Sequence, residues 1–423
     1  MNEALLQLIW QHSLYNTAEL KTTDGEPITV SFVGKRNTDA GPDFLEAKVR
    51  VGKTLLVGHI EMHINSSDWI KHKHQNDPAF KNIILHVVYK NDKIVDTNAP
   101  TLELQDHIPA HILKQYQHLI YAKTTIPCAK QLHTVKDITK HSWLSRMLAE
   151  RWEDKLGDWK ELLDKTAGDW SQLLYWRTAA NFGFKTNSSP FLLLAQSIPL
   201  NVLAKHRESL LQIEALLFGQ AGMLDKKFKD AYPLALQKEY LYLQKKYKLT
   251  PIPVHLWKFM RLRPANFPTI RIAQFATLVH QSIHLFSKII ETATVKEITP
   301  LFDITASGYW ETHFRFDEPK TKHSKKHVGA ASIQNIIINT IAPVQFLYAQ
   351  QQGTTKQQEK ALQLLESVPA EKNKILSLWE TTGWKAENAA QSQALIQLCN
   401  NYCSSKRCTE CSIGLSIIRQ PNS

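Results

Sequence analysis

The chain has 423 residues, 43% of them hydrophobic and 21% charged, which excludes a disordered or fibrous polypeptide and leaves room for two or three domains. No run reaches the roughly 18 uninterrupted apolar residues of a membrane span, and the Met-Asn-Glu start has no basic leader, so a cytoplasmic protein without a membrane partner is expected. Lys and Arg number 51 against 39 Asp and Glu, a net charge of +12. The excess is uneven: residues 1–110 hold 11 basic and 14 acidic residues, a net of −3, and residues 111–423 hold 40 and 25, a net of +15. A basic body behind a slightly acidic module fits a polyanionic partner such as nucleic acid.

In chain order, residues 2–12 place Leu5, Leu6, Ile9 and Trp10 on one helical stripe. Residues 28–33 and 45–51 alternate as strands, and Gly52-Lys53 makes a turn into a third strand over 55–64. Ser66 or Ser67 can cap a helix over 68–75. Residues 83–89, apolar on both faces, read as a central strand, and 101–104 as an edge. From residue 111 helical patterns dominate, over 111–121, 135–164, 169–182, 190–218, 228–247, 270–291, 333–352 and 356–398. The domains expected are a mixed α/β core over 1–110, a basic helical domain over 111–390, and a cysteine-rich tail over 391–423.

The chemistry concentrates in two stretches, Asn37 to Phe44 and Gly58 to Asn65. Alternate residues of a strand share a face, so His59, Glu61, His63 and Asn65 point one way and Ile60, Met62 and Ile64 the other. Asp43 opens the preceding strand and lies beside Glu61 if the two strands form a hairpin about Gly52. Two carboxylates on adjacent strands make a site for Mg²⁺ or Mn²⁺, which take carboxylates, water and phosphate oxygens. A neighbouring Lys or His can then activate water. His72 and His74, two apart on the expected helix, do not share a face and read as surface residues. His86 and Trp69 read as core residues.

This order of elements and chemistry resembles the PD-(D/E)xK nuclease superfamily. Pro42-Asp43 matches its first element and Glu61-Met62-His63 its second, and Glu3 loosely matches a helical Glu found there. The resemblance implies metal ligation by Asp43 and Glu61. His63 stands where that superfamily has a Lys, so His63 itself, or Lys48 on the neighbouring strand, would have to activate water; otherwise the site is inactive. The fold class expected is therefore α+β: a small restriction-endonuclease-like mixed sheet, then a mainly helical body with a cysteine-rich tail.

Cys399, Cys403, Cys408 and Cys411 cluster at the end of the chain, and Cys128 stands alone after Pro127. Clustered thiols in a reducing compartment favour metal over disulfides. Four thiolates suit Zn²⁺; three with Cys128 suit a [4Fe–4S] cluster. The second arrangement is similar to the iron–sulfur staple of certain PD-(D/E)xK nucleases. In the body, Arg261, Arg263 and Arg271 flank two prolines at a helix start, a place suited to phosphate. Arg315 lies among aromatics able to stack on bases, and the lysines of 317–327 read as solvated. The Gly41–Phe44 turn, Glu61–Trp69, Ile84–Val88, Arg263–Pro268 and Cys403–Gly414 together look like one uncharacterised bacterial family, a domain of unknown function. The function expected is a metal-dependent nuclease. The alternatives are a non-catalytic nucleic-acid-binding protein on a degenerate nuclease core, or a transition-metal hydrolase using His59, Glu61 and His63.

Overall fold

The computed structural model describes residues 1–320 and 322–421. The chain divides into two compact units: Met1–Met147 with Lys374–Lys385 and Leu395–Ser423, and Leu148–Asn373 with Ala386–Ala394. The boundary expected at residue 110 therefore falls at 147, and the cysteine tail is part of the first unit. The reason is local packing: the C-terminal helix Ser412–Ile418 lies against helix Ala110–Ile120, so both belong with the sheet. The fold is mixed α+β.

In the first unit, α1 (Glu3–Gln11) begins where Asn2 Oδ1 accepts the Leu5 amide at 3.0 Å, and it buries Leu5, Leu6, Ile9 and Trp10. The sheet comprises β1 (Ile28–Phe32), β2 (Lys35–Arg36), β3 (Phe44–Val51), β4 (Thr54–Asn65), β5 (Ile83–Lys90) and β6 (Thr101–Glu103). Their order is β1-β3-β4-β5-β6, with β2 also paired to β3. β3 and β4 form the expected antiparallel hairpin, turning at Gly52 with φ +56°. Phe44 pairs with Ile60 and Ala47 with Gly58, so Leu45 and Glu46 together face His59 in a bulge. Glu46 there adopts φ +59°. A bulge adds one residue and re-aims the chain beside it, which sets Asp43 next to Glu61.

β5 runs parallel to β4, with Glu61 beside His86, and β6 parallel to β5. Residues Leu85–Val88 are fully buried, as a central strand requires. The crossover between β4 and β5 holds α2 (Asp68–Lys71), shorter than the expected helix over 68–75. Gly58 lets the start of β5 close in: a Cβ there would lie 2.7 Å from the Asn82 carbonyl. After the sheet come α3 (Ala110–Ile120) and α4 (Asp137–Lys165).

The second unit is helical around a core that includes Trp159, Phe182, Phe218, Phe275 and Trp310. The helix expected over 190–218 is three helices, Phe184–Ser197, Leu200–Lys205 and Leu210–Gln220. Pro199, extended at ψ 138°, starts the second, and Ser209 caps the third through the Gln212 amide. Helix Ala330–Gln351 is apolar enough to span a membrane by composition, but 56% of its apolar window is buried, and core packing accounts for that apolarity.

Candidate metal centre

The two carboxylates brace the β3–β4 pair from both sides. The Asp43 amide donates to Glu61 Oε2 at 3.2 Å, and the Met62 amide donates to Asp43 Oδ2 at 3.0 Å. Gln7 of α1 donates to Asp43 Oδ1 at 2.8 Å and is itself held by Arg36 at 3.2 Å. Burial pushes the Asp43 carboxyl up to about 6, against the pull of the Met62 amide. Burial and the nearby Asp43 push Glu61 up to about 9, and Glu3 adds to both shifts. A buried carboxyl raised by a neighbouring, half-buried one marks a place where a cation would be stabilised.

Histidines complete the site. His63 Nε2 lies 3.8 Å from Glu61 Oε1, and His74 Nε2 lies 3.4 Å from the same oxygen. Both nitrogens are buried and neither has a hydrogen-bond partner. His72, exposed, joins them: the ligand nitrogens of His63, His72 and His74 all lie within 4.8 Å of one another. Metal–nitrogen bonds of about 2.0–2.1 Å put such atoms roughly 3–4 Å apart, so this spacing is close to what one ion would require.

The backbone explains how two histidines two residues apart meet. α2 stops at Lys71, His72 takes the C-cap, and Lys73 adopts the left-handed region at φ +64°. The chain reverses there and returns His74 to the side His72 occupies. The surface position expected for both rested on a continuous helix. A non-glycine residue at positive φ is costly and concentrates at functional sites. Trp69 and Phe80 wall the site; the His74 and Phe80 rings are 3.9 Å apart between centroids.

Behind His63 stands His86, fully buried, with Nε2 2.9 Å from His63 Nδ1. Burial, with the neighbouring imidazoles, lowers His63 to about 3 and His86 to about 4, so both are neutral at pH 7. Neutral imidazole is the form that binds metal. If His63 offers Nε2 to an ion, its Nδ1 carries the proton and donates to His86 Nε2, the outer contact that orients a ligating histidine. His86 is thus more than the satisfied core histidine expected, since its own Nδ1 is buried without a partner.

Other expected residues lie elsewhere. Lys48 pairs with Val57, four positions along β4 from Glu61 and so about 14 Å away at ~3.4 Å per residue. It is exposed and does not supply an ammonium group to the site. His59 is drawn off by the bulge, where its Nδ1 accepts the Glu46 amide at 3.3 Å. In the second unit Arg261 and Arg263 are exposed, and Arg315 lies over Phe259 and Phe267 and 3.8 Å from Glu318. Arg271 is buried and bonded to Asn266, Gln274 and Ser332, so its guanidinium is a core brace, not an open phosphate contact. Lys326, expected in a solvated loop, is buried and donates to the carbonyls of Glu311 and Ser324. One signal for the missed histidines was in the sequence: five of its 18 fall between His59 and His86.

Cys128, Cys403, Cys408 and Cys411, all buried and free of disulfides, line one small cavity with Pro127, Tyr402, Arg407 and Gly414. Cys399 is buried but does not line it. Burial, reinforced by neighbouring thiols, pushes Cys128 and Cys408 up to about 12 and Cys411, by burial, to about 11; Cys403 rises furthest.

The chain belongs to a family described as a protein of unknown function, DUF2851, whose model matches residues 3–374. The match includes the carboxylate and histidine site and stops before Cys399, so family membership says nothing about the tail cysteines. Comparison with curated proteins and with solved structures gave no match.

Proposed function

We propose that the protein is a metal-dependent hydrolase that cleaves phosphodiester bonds of nucleic acid. Asp43, Glu61, His63 and His74 would surround the ion, with His72 at its exposed side. The observation that carries this reading is the aim of two buried, unpartnered imidazole nitrogens, His63 Nε2 and His74 Nε2, at one oxygen of Glu61. The order helix, strands, helix, strand, with both carboxylates at the β3–β4 hairpin, supports the likeness to PD-(D/E)xK nucleases. The net of +15 over residues 111–423 supports a polyanionic substrate.

The donor set refines the choice of metal. Carboxylates alone suit Mg²⁺; adding imidazoles moves the preference to Mn²⁺ or Zn²⁺. A bound ion would polarise a phosphoryl oxygen and lower the pKa of a coordinated water. His63 in the lysine position would then serve as a ligand, and His72, the exposed imidazole beside it, would accept the water's proton.

The test is cleavage of single- and double-stranded DNA and RNA in Mn²⁺, Zn²⁺ and Mg²⁺ by the wild type, Glu61→Ala and His74→Ala. Cleavage that falls by about a hundredfold or more in both variants supports the reading. Cleavage that both variants keep refutes the site. A second reading is favoured by the histidine triad itself: a transition-metal hydrolase of another substrate class. Tight zinc with no cleavage of any nucleic acid would select it.

A further inference from the structure

The four cavity-lining cysteines are independent of the histidine site and ask for their own explanation. They come from two distant stretches of chain, one following α3 and one ahead of the C-terminal helix. All four are 8% exposed. Four buried thiols gathered on one cavity from two separate stretches of chain form the donor set of a structural metal site.

The local structure is built around them. Gly414 lies against the Cys408 backbone, where a Cβ would come within 2.2 Å of the carbonyl oxygen. Only glycine lets the helix Ser412–Ile418 close over the 403–411 loop. Tyr402 packs against Trp143 at 5.5 Å between ring centroids, and Arg407 lies over Tyr402 at 4.7 Å. Lys406 donates to the Ile120 carbonyl at the end of α3, and Gln420 to Thr134. The loop is thus seated beside Cys128.

The sulfur spacing discriminates between metals. Zn–S bonds of about 2.3 Å set four thiolates roughly 3.8 Å apart. Among the described residues, the histidine triad is the one group of three ligand atoms found within 4.8 Å of one another. No three of the cysteine sulfurs therefore lie within 4.8 Å of one another, a wider spacing than the thiolates of one zinc ion. A cubane cluster, which places each thiolate on a different iron corner, needs that wider ring.

We propose that Cys128, Cys403, Cys408 and Cys411 ligate a [4Fe–4S] cluster, and that Cys399 does not. The cluster fastens the end of the chain to the segment after α3. It also supports the metal centre from a distance: Asn2, which caps α1, donates to Tyr116 of α3 at 2.7 Å, and α1 supplies the Gln7 that holds Asp43. The assignment does not depend on hydrolase activity.

The test is anaerobic purification of the full chain with iron, sulfide and zinc analysis, and electron paramagnetic resonance of the dithionite-reduced protein. Expected are brown protein, about four iron and about four sulfide per chain, and the spectrum of a reduced cubane. Serine at each of positions 128, 403, 408 and 411 should lower bound iron severalfold, and Cys399→Ser should leave it unchanged. Wild-type protein with one zinc and no sulfide overturns the proposal. So does wild-type protein without iron after anaerobic reconstitution. Iron loss in Cys399→Ser equal to that in Cys403→Ser overturns the ligand set. The wild-type spectrum decides the cluster type even where a serine variant fails to fold.

Discussion

His86 gives the sharpest test of how the metal centre is organised. Its strand neighbour across β4 is Glu61, and its side chain meets the site through the 2.9 Å contact between its Nε2 and His63 Nδ1. His86→Ala removes that acceptor and leaves the His63 N–H buried beside β5 without a partner. An unsatisfied buried donor costs about 1–3 kcal/mol, which is roughly 5- to 150-fold in an equilibrium constant. Loss of an outer contact to a metal-bound histidine lowers affinity by about 10- to 100-fold, and the two ranges agree. Competition titration of Mn²⁺ and Zn²⁺ should therefore show an affinity loss of that order in His86→Ala. His86→Gln, whose amide oxygen can accept the same proton, should recover most of it. A role confined to core packing predicts lower melting temperature in both variants and no selective recovery. Unchanged affinity in His86→Ala, beside abolished binding in His74→Ala, would refute the relay from His86 to His63.

Asp43→Asn should abolish cleavage and weaken metal binding while the far-UV circular dichroism stays native, because the amide can keep the hydrogen bond from Met62. Lys48→Ala should leave metal affinity and cleavage within about twofold, since Lys48 pairs with Val57 away from the site; a tenfold loss would return Lys48 to it. Glu214, 2% exposed, is pushed from 4.5 up to about 7 by burial, partly offset by the Ser307 hydroxyl at 2.7 Å. Its folded pKa lies above its unfolded one, so stability is greatest below about 4.5 and is lost as pH rises through about 7. The loss is about 3 kcal/mol. Urea unfolding at pH 5 and pH 8 should show that difference in the wild type reduced by a similar amount in Glu214→Gln, and equal pH dependence would refute it.

Much of the sheet was legible in the chain itself. The hairpin about Gly52, the central strand at 83–89 and the edge at 101–104 follow from alternation and turn residues, and β3 to β6 occupy those places. The neighbourhood of Asp43 and Glu61 was legible to within one residue: alternation and a tight turn bring the two strands together, and the bulge sets the register that puts Asp43 beside Glu61. Periodicity failed where the backbone leaves regular geometry. The bulge at Glu46 engages His59 in a hydrogen bond of its own, and the left-handed Lys73 brought His72 and His74 together. Neither departure leaves a period in the sequence, because each depends on a single residue's φ held by surrounding contacts. The arginines failed for another reason: Arg271 and Arg315 each stand between two apolar residues, and only burial separates a core brace from an exposed side chain.

The sequence by itself determined which kinds of atoms are available: two carboxylates near one hairpin, a density of imidazoles, five thiols and an excess of positive charge. Those are properties of composition and of spacing along a strand. Tertiary structure alone decided which of them meet. Three histidines share a site because a short helix ends at Lys71 and reverses. Four of five cysteines share a cavity because the end of the chain folds back on the segment after α3. Contacts between distant residues are selected by the closure of the whole core, which no local pattern encodes.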